Sequence, residues 1–274
     1  MSSRCPDVAA ALLALALACG AGAVQADEAR TLRVCADPDN LPYSNHAEAG
    51  FENRIARLVA DEMGAELRYA WLPLRRGFVR KTMGAGLCDM FIGVPADYER
   101  LLTTRPYYRS SYVFVDGAGA RGVASFNDPR LRSLRIGVQL VGDDLAATPP
   151  GYALAMTGHV DNVRGFTIYG QGPAAQRMIE ALASGELDAA LIWGPQAGYF
   201  ATRSTTPLEL RVARSPASRA DLAFEFDIAM GVRRDDRALR DELDAIIARR
   251  RADIDAILAA FAVPRTDLSW GPGP

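Results

Sequence analysis

The chain has 274 residues, 49% of them hydrophobic and 23% charged, with a formal net charge of −2. That length holds one large or two small domains, and the near-neutral charge excludes the basic surface with which nucleic-acid binders grip phosphate. Beyond the N-terminus no stretch is apolar enough to supply the roughly 20 residues of a bilayer-spanning helix.

The first residues read as an export signal. Arg4 precedes an apolar run over residues 8–18, and small residues lead to Val24-Gln25-Ala26, a cleavage site with small side chains at −3 and −1. A buried helix would need a polar face, which this run lacks. A lipoprotein site at Cys19 would want a large aliphatic residue where Ala16 stands. Removal of residues 1–26 would leave a mature periplasmic chain with two cysteines, Cys35 and Cys88. In an oxidising compartment one disulfide is the expectation, with two buried free thiols as the alternative. A bond would require neighbouring strands whose register brings the Cα atoms within about 7 Å.

A strand over residues 32–36 opens the mature chain and ends in the turn-rich Asp37-Pro38-Asp39-Asn40-Leu41-Pro42. Phe51, Ile55, Leu58, Val59 and Met63 repeat at helical spacing, and Gly64 suits the C-terminal stop. A strand over 67–71, a short helix over 77–85 and a nearly all-apolar strand over 88–94 follow. A further strand over 112–115 leads to a Gly- and Ala-rich stretch, residues 116–123, which reads as a linker.

A second set starts with a strand over 135–138. Gly172-Pro173 opens a helix with Met178, Ile179 and Leu182 on its apolar face and Gly185 at its end, and a buried strand covers 187–192. A late strand over 226–232 precedes a helix with Leu239, Leu243, Ile246 and Ile247 inward. The last helix carries Ile254, Ile257, Leu258 and Phe261 and stops before Pro264. Apolar strands alternating with helices imply parallel sheets covered on both faces. Ligands of such sheets bind beyond the carboxyl ends of the strands, and a cleft between two units is a usual place for them.

The runs DPDNLPYS (37–44), Gly50-Phe51-Glu52 and LLTTRPYY (101–108) resemble the family-3 solute-binding proteins, receptors of ABC importers with a type II periplasmic-binding fold. The similarity continues through residues 135–139, 187–190 and 226–232 and spans the mature chain. RVCADPDNLPYSN (33–45), Arg75-Arg76-Gly77-Phe78, TTRPYYRSSY (103–112) and GVQLVGDD (137–144) are closer to one branch, the quinoprotein-dehydrogenase-associated substrate-binding-like proteins.

The resemblance implies an α/β fold of two lobes, each a mainly parallel sheet flanked by helices. The expected division is residues 27–117 for lobe 1, 118–224 for lobe 2, and 225–274 returning to lobe 1. It also implies a non-catalytic accessory partner of a PQQ-dependent methanol dehydrogenase, with the enzyme's cytochrome c as a further candidate and a peptide or small molecule as cleft ligand. The alternative is an importer receptor for a small non-zwitterionic solute; a cyclohexadienyl-dehydratase-like enzyme is the third reading.

Ordinary relatives clamp an amino acid with an Arg for its carboxylate and an acid for its ammonium, because buried charges need partners. The Arg position, nine residues before Pro106, holds Asp97 here, with Arg100 close by; the acid position after the 187–192 strand holds Trp193. Both halves of the clamp are therefore expected to be missing. Tyr43, Phe51 and Trp71 are candidates for an aromatic wall, with core packing the alternative for Phe51 and Trp71. Asp37, Glu52, Arg75 and Arg105 are candidates for polar contacts, against a solvated surface role. Gln139, Gly142 and Asp143 match the second-lobe loop that cradles ligands in the family.

No cofactor or metal is expected. His46 and His159, the only histidines, have no ligand spacing, and Pro42 stands where a calcium loop after Asp37 would need Gly. There is no G-x-S-x-G elbow and no P-loop.

Overall fold

The computed structural model describes residues 30–118, 122–141, 146–168 and 172–266. The expected signal over 1–26, Gly142 and Asp143 lie outside the described residues.

Strand β1 (Thr31–Ala36) buries Leu32 and Val34, and a small hairpin of β2 (Asp39–Asn40) and β3 (Ser44–Asn45) leads into α1 (Phe51–Glu62). The helix starts where it does because the Asn53 side chain accepts from the Gly50 N–H, and Gly50 itself admits no Cβ: one would lie 1.9 Å from the Tyr43 carbonyl oxygen. Gly64 follows at φ +59°, the left-handed stop its position predicts. Phe51, Ile55 and Val59 are fully buried, each stabilising the fold by about 1.5–3 kcal/mol.

β4 (Glu66–Trp71) and β5 (Met90–Pro95) flank β1 in parallel, linked by α2 (Phe78–Lys81) and a 3-10 turn (Met83–Ala85). After β6 (Leu102–Thr103) comes the long β7 (Tyr108–Gly117). The second set comprises β8 (Ile136–Val141), β9 (Ala146–Ala147), α3 (Pro149–Met156), β10 (Val163–Thr167), α4 (Ala174–Ala183), β11 (Ala189–Trp193), α5 (Gly194–Ala201) and β12 (Leu208–Val212). The chain then returns through β13 (Glu225–Val232), α6 (Arg237–Arg249) and α7 (Arg251–Ala260), the two helices packing against α1.

The strands make two halves joined through β7. One half runs β4-β1-β5-β13-β7, the other β10-β8-β11-β7, with β12 also on β7. Tyr108–Ser111 pair antiparallel with β13, whereas the residues from Tyr112 to Gly117 pair with β11 and β12. Each half thus combines parallel strands (β1, β4, β5; β8, β10, β11) with antiparallel ones at the junction. The expected linker at 116–123 therefore begins inside a strand, and the crossing falls earlier, at Ser111–Tyr112. There the second crossing meets the first: Tyr112 donates its N–H to the Phe224 carbonyl and accepts from the Ala213 N–H.

Each half carries a clasp of the same kind. Arg33 in β1 donates two guanidinium bonds and its backbone N–H to Asp89, just ahead of β5. Arg135, just ahead of β8, does the same to Asp188, ahead of β11. Each clasp pins the start of two neighbouring parallel strands. Beside the first, Cys35 and Cys88 are bonded, with Cα atoms 5.4 Å apart. The bond lies in a buried cluster with Phe78, Met83 and Phe91.

The end of α7 spans both halves. Phe261 stacks on Tyr199 of α5 (5.7 Å) and packs edge-on to Phe51 of α1 (5.9 Å). Beyond it the Ser110 hydroxyl donates to the Pro264 carbonyl at 2.6 Å. No helix among the described residues is long and apolar enough to cross a membrane.

Candidate binding cleft

The carboxyl ends of β1, β5, β8 and β11 converge on one cavity of about 720 Å³, lined from both halves of the molecule. That is where a doubly wound sheet places ligands, and the volume is in the usual range for a small-molecule site. Asp37, Tyr43, Glu52, Arg75, Gln139 and Trp193, all expected from the sequence, line it.

Trp193 sits at the junction of β11 and α5 because Gly194 and Pro195 turn the chain directly into a helix. Its ring packs against Tyr112 (5.2 Å) and Phe226 (5.7 Å), so the aromatic wall is built on the crossing itself. Gln139 holds Trp193 in place. The Gln139 side-chain oxygen accepts from the Trp193 N–H (3.1 Å), and its amide donates to Gln196 (2.8 Å). Gln139 is buried and two of its side-chain bonds go to protein, so it positions the wall.

Asp37 is likewise engaged: its carboxylate accepts from the backbone N–H groups of Asp39 and Leu74 and shapes the mouth. Tyr43 faces the Trp193 indole N–H from the opposite half, and burial pushes its hydroxyl well above its ordinary value.

Glu52 differs from these residues. It is half-buried, lines the cavity, and its carboxyl packs so closely on Gly93 that a Cβ there would lie 2.2 Å from Oε1. Desolvation lifts its pKa to about 8, so the carboxyl is mostly protonated at neutral pH. Among the described residues lining the cavity, Arg75 is the single cation, against the acids Asp37, Asp39 and Glu52.

Four expected site residues fall elsewhere. Phe51 is fully buried between Tyr43, Tyr108 and Phe261 and is core. Trp71 stacks on Tyr69 (4.4 Å) and packs against His46 (4.9 Å), so it covers the hairpin. Asp97 is exposed and outside the lining. So is Arg105, whose backbone N–H donates to Asp244 of α6. Arg100 is outside the lining too. Tyr108, Tyr112 and Phe226, not among the residues expected from the sequence, complete the wall. Their signal was their place on the strands that cross between the halves.

Fold and cleft define a two-lobed binding protein of the type II periplasmic kind. No family model matches the chain. The curated relatives settle the family: protein MoxJ of Methylorubrum extorquens is 33% identical over 88% of this chain and 84% of its own length. Protein MoxJ of Paracoccus denitrificans is 32% identical over 90% of this chain and 95% of its own. The chain belongs to the MoxJ family. Among solved structures, the periplasmic binding protein XoxJ from Methylobacterium extorquens AM1 is 34% identical, with a TM-score of 0.72 over 87% of this chain and all of that one. An ancestral cationic amino acid solute-binding protein, 17% identical with a TM-score of 0.65 over 85% of this chain and 95% of that one, shares the fold.

Proposed function

We propose that this protein is a non-catalytic periplasmic partner of a PQQ-dependent methanol dehydrogenase, which it assists in maturation or activation by engaging the enzyme, or a segment of it, in the cleft. The observation that carries this reading is a cavity of amino-acid-receptor design with Trp193 at the acid position and no cation at the Arg position, in a chain of the MoxJ family. The branch motifs over residues 33–45 and 103–112 support the dehydrogenase as partner. Leu74 and Val141, 47% and 42% exposed on opposite lips of the mouth, suit an apolar protein surface. Location in the periplasm follows from the signal read over residues 1–26. The reading divides the chain into the lobes expected from the sequence, with the first boundary inside β7. A strain lacking the gene is expected to make dehydrogenase polypeptide with reduced specific activity; unchanged activity would sink the proposal.

A receptor for a small non-zwitterionic solute is the second reading, favoured by an inward-facing carboxyl in a cavity of small-molecule size. It predicts that some solute raises the melting temperature, since a ligand of the folded state stabilises it by mass action. A dehydratase-like enzyme would draw its base and anion anchor from Asp37, Glu52, Asp97 and Arg105, and of these Asp97 and Arg105 lie outside the cavity.

A further inference from the structure

The cavity has a chemical demand that the partnership with a dehydrogenase does not specify. Glu52 projects from the first turn of α1 into it, against the backbone of Gly93 in β5. Its neighbours from the other packed elements are phenols: Tyr43 from the hairpin turn, Tyr69 from β4, Tyr107 just ahead of β7 and Tyr108 at its start. The phenols are themselves pushed to higher pKa by burial, so they stay neutral and do not compensate an ionised carboxylate. Among the described residues, the other charges on the lining stand at the mouth: Asp37, committed to the Asp39 and Leu74 N–H groups, together with Asp39 and the exposed Arg75. Burial alone lifts the Glu52 carboxyl to about 8, and among the described residues no ion pair or hydrogen bond offsets it.

A carboxyl in this state is satisfied best by a cation arriving with the ligand. The wall around it supplies the other half of such a site. Tyr43, Tyr108, Tyr112, Trp193 and Phe226 present rings, and ring faces attract cations while apolar stems pack between them. Among the described lining residues, a carboxylate ligand would meet three acids against one cation. We propose that the cavity receives an alkylammonium group, its charge paired with Glu52 and its methylenes held by the aromatic wall. This rests on the cavity being the binding cleft, and it names the chemistry shared by both uses of it: a Lys side chain on a partner's segment, or a free amine.

The test is calorimetric titration of the mature protein with n-butylammonium, n-butanol and Nα-acetyl-lysine amide. Both ammonium probes stay protonated up to about pH 10. They are expected to bind with an affinity that rises on the order of tenfold per pH unit up to about pH 8 and then levels, because binding must strip the Glu52 proton. The alcohol is expected to bind at least about tenfold more weakly than the amine above pH 8. Glu52→Gln should weaken the ammonium probes by about tenfold or more and abolish their pH dependence, with its melting temperature showing that the variant is folded. Tighter binding of the blocked lysine assigns the group to a peptide; tighter binding of butylammonium assigns it to a small solute. Equal affinity for alcohol and amine, no heat with either amine, or an unchanged Glu52→Gln titration would overturn the proposal. Retention of the dehydrogenase by a protein that binds no amine would defeat this inference alone.

Discussion

At the scale of single residues, Glu52 concentrates the tension in this cleft. Its folded-state pKa of about 8 stands above the ordinary 4.5, so the unfolded chain releases this proton first as pH rises. The sign follows directly. The folded state has no deficit from Glu52 below about pH 4.5, and loses stability relative to a neutral side chain between there and about 8. Glu52→Gln is therefore expected to melt with the parent protein at pH 4 and above it at pH 8. Parallel melting curves at both pH values would mean that the carboxyl is solvated. Gln139 teaches a different lesson. The sequence points to it as a ligand contact, yet the structure spends its amide on the Trp193 N–H and on Gln196. Motif position put Gln139 in the right place; only the hydrogen-bond partners reveal that it acts through another residue.

At the scale of elements, long amphipathic helices and apolar strands were legible, and weakly patterned ones were not. α1, α4, α6 and α7 stand out through their apolar stripes, and α1, α4 and α7 also through a terminal glycine or proline. α3 and α5 have eight residues each and open on Pro-Pro and Gly-Pro. Neither is long enough to display a repeating face. β7 was read as four residues because only its apolar 112–115 portion alternates with turns; its first four residues, Tyr108–Ser111, pair instead with a strand more than a hundred residues later. Non-local pairing leaves no local signal.

The twin Arg–Asp clasps escaped for the same reason, since each joins residues more than fifty positions apart. The bidentate Arg135 guanidinium holds the Asp188 carboxyl below the usual carboxylate range. Asp188→Asn should cost about 1 kcal/mol near neutral pH, a modest figure because the pair is partly exposed. That difference should vanish in acid, as pH falls through the depressed pKa and the carboxylate protonates in the parent protein too. Urea titrations at pH 7 and pH 3 measure both. The Cys35–Cys88 bond closes a loop with a sequence separation of 53, and Cys88→Ala is expected to lower unfolding free energy by about 2–4 kcal/mol. A loss no larger than that of an isolated buried alanine substitution elsewhere would show the bond to be incidental.

At the scale of the whole molecule, the cleft lies where two sheets end and two crossings meet. Tyr112 and Phe226 belong to the crossing strands and line the cavity, so the cleft wall is built on the strands that join the two halves. Behind them, the chain after Phe261 lies across both halves. Gly198 is glycine because a Cβ there would lie 1.9 Å from the Ala262 carbonyl oxygen. The frame of an amino-acid receptor was readable from motif order along the chain. Trp193 was legible as a cleft residue too, and it lines the cavity. The rest of the wall was not, because it is assembled from strands distant in sequence and its charge balance depends on burial.

The central claim is that this cleft serves a periplasmic methanol dehydrogenase. Its most direct measurement is the affinity of the purified mature protein for the dehydrogenase encoded in the same genome, set beside that of Trp193→Ala. The account predicts saturable binding to the parent protein and binding weakened by about tenfold or more in the variant, the loss expected when an anchoring aromatic is truncated. No binding, or equal binding by both proteins, would contradict it.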